Sequence, residues 1–457
     1  MAVEFATRRH EELINEVKTM LWGPVVKEEV FQRWAQGFYF SADENSALVQ
    51  DEGGPCAVIA PLQAFILKQI LTESDINTWS DIKPEKCNEL LIKAMSEILA
   101  QAVEPTNTKF SILLIDMPNS IVNGEVPIKN TQMDVDSVLK EIANIESTSM
   151  QIDKPVVESQ VFHSRLRIHT ISSIEEVQKF LTQNISMFKE QFGVLLLLYS
   201  VICTKGIRQM RLEISDLTDP LIHSIFGYGS QSLINLMLSG RAVSNVWDHD
   251  QDVGGLKLKG IDQQNAVGFL TLLETLRYIE VGTFLKSPSN PVWVLGSETH
   301  LTVLFSTEKK LVSAETPAEK AKRVFKKYDN DGNNFIPTDS LQNVLAELGL
   351  YSDIEYVDIM KKKLDRHNDG IILITAFMYE FFPEEPRIYP DTFILYHYNG
   401  LLRSNINNQV KYHKGQAILL ESVVESILDS NPMLTVLQTK WPSIEVQWDV
   451  NQNPSIN

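Results

Sequence analysis

Cysteine reacts as its thiolate, and that form is favoured where a helix begins, because unpaired backbone N–H groups there face the negative charge. The sequence has three cysteines, Cys56, Cys87 and Cys203, and only Cys56 stands in such a setting, inside QDEGGPCAVIAP at 50–61. Gly53 and Gly54 permit a close backbone approach, and Pro55, with a fixed φ and no N–H to satisfy, suits the turn into a helix. Free cysteine is also among the most buried residue types, so a core thiol is the bland alternative for Cys56, and the one that fits Cys87 and Cys203. The chemistry open to an activated Cys56 is acyl transfer. Its own N–H can supply one oxyanion donor, and the side-chain amide of Gln50, six residues upstream across the Gly-Gly bend, a second. A nucleophile of this kind needs a base, and nine histidines compete for that part. His300 follows a turn and opens HLTVLF, far from Cys56 in the chain, as expected when the two come from different parts of a two-lobed site.

These residues need elements to hold them. The run AVIAPLQAFILKQIL after Cys56 is apolar over about four turns, the length of a buried helix rather than a strand. Pro61 within it costs a backbone bond unless it still lies near the first turn. Leu13, Ile14, Val17, Met20 and Leu21 share one helical face. KFSILLID (109–116) reads as a strand, 119–160 as a polar and partly mobile surface excursion, and 172–190 as a helix opened by a Ser173/Glu176 capping box. The apolar 192–203 reads as a buried strand or helix. VWVLGSETHLTVLF (292–305) reads as two strands around a Gly-Ser-Glu turn, and TFILYHYNG (392–400) as a strand ending in an Asn-Gly turn signal.

Composition narrows the function classes. With 44% hydrophobic and 22% charged residues the chain is globular, and its formal charge of -18 disfavours nucleic acid or an anionic membrane as the main partner. The cysteines are odd in number and lack metal-ligand spacing, which suits a reducing compartment, cytoplasmic or nuclear. The N-terminal stretch has no signal-peptide pattern. The longest apolar run is about half of the roughly 20 residues a membrane helix needs.

Residues 316–383 are charged, helical in pattern and carry two Asp/Asn/Gly clusters. DNDGNNFIPTDS (329–340) places Asp329, Asp331 and Asn333 at positions 1, 3 and 5 of a calcium-loop frame and Ile336 at position 8, but Asn334 stands at position 6 and Ser340 at 12, where a bidentate Glu is needed. DRHNDGIILITA (365–376) repeats the frame thirty-six residues on, with His367 at position 3 and Ala376 at 12. Paired helix-loop-helix units are expected, with Ile336 and Ile372 meeting in a short strand pair. The fold is read as kept for packing or for a protein partner. Weak calcium binding by Asp329, Asp331 and Asn333 is the residual alternative, and no firm metal site or cofactor is expected.

EGGPCAVIAPLQAF, GRAVSNVWD (240–248), SETHLTVLF, YHYNGL (396–401) and the late LQTKWPSIEVQW together resemble the MINDY family of deubiquitinating cysteine proteases, closest to its branch with an EF-hand-like insertion. The similarity runs across essentially the whole chain. It implies an α+β, papain-like fold, and papain-like proteases share the six-residue interval from Gln to Cys. The expected organisation is a catalytic domain at 1–315, an inserted EF-hand-like helical module at 316–383, and the rest of the catalytic domain at 384–457. The implied activity is hydrolysis of lysine isopeptide bonds in polyubiquitin, preferring the linkage that marks proteins for the proteasome. By motif match Cys56 is the nucleophile, His300 the general base and Gln50 the oxyanion donor. Glu315, at the end of KKLVSAE, is the candidate third member, with Thr302 or a residue near Asn399 as alternatives. Arg241, Asn245 and Trp247 are candidates for the substrate groove, against a plain helix-to-loop junction with Trp247 buried. The rival readings are a non-catalytic ubiquitin-binding or EF-hand-like adaptor, and a thiol enzyme delivering its thioester to an amine.

Overall fold

A computed structural model describes residues 2–73, 79–80, 82–104, 109–116, 157–313, 316–329, 333–383, 390–420, 431–450 and 453–457. The excursion read at 119–160 therefore lies largely outside the described residues, and its last two positions open a helix, Ser159–Arg165. Four helices lead the chain: α1 (Ala2–Trp22), α2 (Glu28–Trp34), α3 (Cys56–Glu73) and α4 (Pro84–Ala102). α3 is apolar on every side and buried over most of its length, as a helix without a polar face must be. Residues 192–203, read as strand or helix, fall in the equally apolar helix Gly193–Lys205. That helix lies against an antiparallel pair, β1 (Phe110–Ile115) and β2 (Leu166–Ile171). The Ser173 hydroxyl accepts from the Glu176 amide at the start of Ile174–Lys189, as the capping pattern predicts. A ribbon of β3 (Gln251–Val253) and β4 (Leu256–Leu258) projects farther on.

The main sheet holds β5 (Gly268–Thr271), β6 (Val292–Gly296), β7 (Leu301–Phe305), β10 (Thr392–Tyr398), β11 (Tyr412–Leu419) and β12 (Ile444–Trp448) in the order β12-β11-β10-β7-β6-β5. β5 and β6 are parallel and every other pair antiparallel. α3 packs on β6 and β7, so the helix that starts at Cys56 and the strand that follows His300 share one interface. β7 and β10 are neighbours in the sheet although some ninety residues separate them in the chain. Between them run helices Pro317–Tyr328, Leu341–Glu347, Ile354–Leu364 and Ile374–Phe381, with the short pair β8 (Phe335–Pro337) and β9 (Ile371–Leu373). These four helices enclose a hydrophobic cluster of their own, around Phe325, Ile336, Leu345, Ile372 and Phe377.

Candidate active site

The stretch ahead of Cys56 is pinned to three elements. Inside α3 the buried Gln63 accepts from the Leu48 amide at 2.7 Å and donates to the Ser46 carbonyl at 3.0 Å. From β10 the Tyr398 hydroxyl donates to the Leu48 carbonyl at 2.6 Å. Gln50 is stitched to the segment after β10, its N–H donating to Gly400 O at 2.8 Å and its carbonyl accepting from Leu402 N at 3.2 Å. Burying Gln63 and Tyr398 is tolerable because each finds polar partners in the loop, and those partners fix where the loop runs.

Gly54 makes the turn into α3. Its φ of +131° is open to glycine alone, and an added Cβ would lie 2.9 Å from both Gly227 O and Trp34 Nε1. Those two atoms are bonded to each other at 2.8 Å, so the loop is wedged against a closed contact. Gly53 has room for a side chain, with only Arg403 within reach. We expect Gly54→Ala to change the rate at which Cys56 reacts with a thiol-directed electrophile about tenfold or more at a cost of about 1–3 kcal/mol of stability. Wild-type rates for that variant would refute the loop's role.

Cys56 is the first residue of α3 and only 2% exposed. Burial pushes its thiol up to about 11, with backbone groups at Leu301 and Ala57 pulling the other way. The Leu301 contact is informative, because it sets the sulfur against the residue that follows His300. Helix α3 starts its hydrogen bonding at the Pro55 carbonyl, which accepts from Val58 and Ile59. The N–H groups of Cys56 and Ala57 thus belong to the orphan set at the helix start.

His300 ends the turn after β6. Ser297 clamps its backbone, its Oγ accepting from His300 N at 3.0 Å and its N–H donating to His300 O at 3.0 Å. The imidazole is 6% exposed, and Nε2 lies 2.9 Å from Asn399 Oδ1. Its pKa is pushed down, chiefly by burial, with the Asn399 contact opposing and the Arg403 cation adding to the fall. In this state the thiol and the imidazole are both neutral. Alkylation of Cys56 by iodoacetamide in the free protein is therefore expected to be slow at pH 7 and to climb with pH toward about 11. A rate already at its plateau at neutral pH would show a thiolate–imidazolium pair instead.

Asn399, buried at 2% exposure, follows β10 directly. The Asn-Gly pair does not close a two-residue hairpin, since β11 begins only at Tyr412. Tight packing on Tyr398 and Leu48 explains the glycine at 400. Sequence reasoning treated Asn399 as turn chemistry and named it only as a neighbourhood for the third member. It missed Ser297 and Arg403. The one available signal was that a short polar residue ending a strand next to that of His300 is well placed to meet the ring. Glu315 lies outside the described residues, and Thr302 bonds a different imidazole, its Oγ1 lying 3.0 Å from His397 Nε2.

The structure thus joins His300 to Asn399, sets Cys56 against Leu301, and ties the Gln50 backbone to the segment just after Asn399. Gln50 Nε2 donates to Glu52 O at 2.6 Å, so its amide is engaged within its own loop in this state. Arg241, Asn245 and Trp247 sit after the helix Gln231–Ser239, which packs on α3 and α4. Arg241 pairs with Asp262, Asn245 donates to Lys259 O at 2.9 Å, and Trp247 lies against Gly260. None of the three has a polar contact with the four site residues.

The family described as "Deubiquitinating enzyme MINDY-3/4, conserved domain" matches residues 18–334. The chain belongs to the MINDY-3/4 family of deubiquitinating enzymes. Among its relatives, "Ubiquitin carboxyl-terminal hydrolase MINDY-3 homolog" of Drosophila melanogaster is 48% identical, over 97% of this chain and 83% of the relative. "Ubiquitin carboxyl-terminal hydrolase MINDY-3" of Homo sapiens is 43% identical over 98% of this chain and all of the relative, and that of Danio rerio is 44% identical over 97% and 99%. No solved structure matches the chain. This MINDY-3/4 family member is therefore a deubiquitinase.

Proposed function

We propose that this chain hydrolyses lysine isopeptide bonds in polyubiquitin, preferring the proteasome-targeting linkage, with Cys56 as nucleophile, His300 as general base and Asn399 as the residue that orients the imidazole. The observation that carries this reading is the His300–Asn399 contact beside a sulfur at the start of a buried helix. His300 takes the Cys56 proton, and the thiolate adds to the carbonyl of the ubiquitin C-terminal glycine. The N–H groups at the start of α3, with the Gln50 amide once it leaves Glu52, face the oxyanion. The C–N bond then breaks, His300 returns the proton to the lysine amine, and water resolves the thioester. No metal or organic cofactor enters these steps. The acidic balance of the chain suits ubiquitin, whose apolar patch has a basic surround. A cytoplasmic or nuclear location fits three unpaired cysteines. Chains of the proteasome-targeting linkage should be cut faster than those of other linkages, and equal rates on all would remove the linkage preference.

A ubiquitin probe with a C-terminal electrophile tests the assignment of the nucleophile, because an attacking Cys56 forms an adduct with it and a merely structural thiol does not.

We also read 316–383 as an EF-hand-like insertion in the catalytic domain. Asp329 accepts from the amides of Asn333 and Asn334 at 3.0 and 2.8 Å, and Asp365 from those of Asp369 and Gly370 at 2.8 Å each. Position 6 of both frames is left-handed, with φ +62° at Asn334 and +77° at Gly370. Asn tolerates that region, which is why it can stand for the usual glycine. Ile336 and Ile372 pair across β8 and β9. With Ser340 and Ala376 where the bidentate carboxylate would stand, and Asp331 outside the described residues, a role in packing or in binding a protein partner is the better reading. Calorimetric titration with calcium should give no heat of binding below millimolar concentration. Micromolar binding would make the module a sensor.

A further inference from the structure

Residues 453–457 run behind the site rather than past it. Ile456 is 2% exposed, in the hydrophobic cluster that contains Trp441 and Trp448. The Ser455 hydroxyl donates to Asn457 O at 2.8 Å and accepts from Asn457 N at 3.1 Å, closing a small turn. That turn aims two backbone oxygens at one side chain, with Asn399 Nδ2 3.0 Å from Ser455 O and 3.3 Å from Asn457 O. On its other side Asn399 Oδ1 accepts from the Leu401 amide at 3.0 Å and faces His300 Nε2.

These contacts determine a proton position. An amide nitrogen and oxygen are hard to tell apart by shape, but a backbone N–H can only donate and a backbone carbonyl can only accept. Leu401 therefore requires the Asn399 oxygen on its side, and Ser455 requires the nitrogen on the other. An oxygen facing His300 Nε2 demands a proton there. Neutral imidazole has one such proton, so Nδ1 is left with the lone pair a general base needs. Without the backbone oxygens of 455 and 457 only the Leu401 N–H still holds the amide oxygen in place, and whatever fraction of the amide then flips presents N–H to Nε2 and places the proton on Nδ1.

We propose that residues 455–457 are a positioning element of the active site, setting the tautomer of His300 through Asn399. This rests on His300 being the base. Ile456 is the apolar anchor, buried in the cluster with Trp441 and Trp448, and the equally buried Pro454 borders a cavity of about 100 Å³ that it shares with His397, Asn399, Asn405 and His413.

The test uses the chain carrying Ile456→Asp, and separately one lacking 453–457. Turnover of polyubiquitin should fall at least about tenfold in kcat with KM little changed, since an imidazole in the wrong tautomer binds substrate but cannot take the thiol proton. Nitrogen NMR of histidine-labelled protein should show His300 in one tautomer in the wild type and in a mixture in both variants. Ile456→Val, which keeps a branched apolar side chain at the buried position, should restore the single tautomer. An unaltered kcat, or a loss of activity that tracks the unfolded fraction while His300 keeps a single tautomer, overturns the proposal. The NMR readout stands apart from turnover, so an inactive wild type would refute the assigned reaction and not this one.

Discussion

Cys56→Ala should form no adduct with a ubiquitin electrophile probe and should lower hydrolysis of polyubiquitin by about four to six orders of magnitude, the loss seen when a catalytic nucleophile is removed. The change deletes one buried sulfur from the first turn of α3, with its weak 3.6 Å contact to the Gly54 carbonyl, and leaves the bonds from Gln63 and Tyr398 that hold the loop. Its cost in stability should stay near 1 kcal/mol. Circular dichroism and the melting temperature would therefore match wild type while activity vanishes. More than a tenth of the activity surviving would mean that another group attacks the carbonyl, and the mechanism would have to be abandoned.

His300→Ala should lower kcat by about three to four orders of magnitude. The pH dependence of what remains is diagnostic. In the wild type the base must be unprotonated, and burial holds its pKa below the ordinary histidine value, so the rate should already be level at neutral pH. With the ring gone the thiol can lose its proton only to solvent. Since burial places that thiol at about 11, the residual rate should rise about tenfold per pH unit through the neutral and mildly alkaline range. A flat residual profile would show that some other side chain takes the proton. The backbone oxygens facing Asn399 would then have no catalytic meaning.

Much of this site was legible before the fold, for identifiable reasons. The start of α3 was marked by Gly-Gly-Pro and by an apolar run too long for a strand, and both are local signals. The pair β6 and β7 announced itself through β-branched and aromatic residues around a short turn, which set His300 at the start of a strand. The run at 192–203 stayed ambiguous because a segment apolar at every position has no period to separate helix from strand, and only its packing on β1 decided for the helix. Asn399 was misread for the opposite reason. Asn-Gly is so strong a local turn signal that it concealed a side chain whose partners lie 99 residues upstream and 56 to 58 residues downstream.

By itself the sequence determined which residues have reactive chemistry and which segments form elements, because side-chain type and short-range periodicity are properties of neighbours along the chain. Only the tertiary structure decided how those groups are tuned. The neutral thiol, the depressed imidazole, the Gln50 amide turned toward Glu52, and the proton on His300 Nε2 all follow from desolvation and from hydrogen bonds between strands and loops far apart in the chain. Such contacts leave no trace in local composition, since each is set by which surfaces the buried faces of α3 and the sheet bring together.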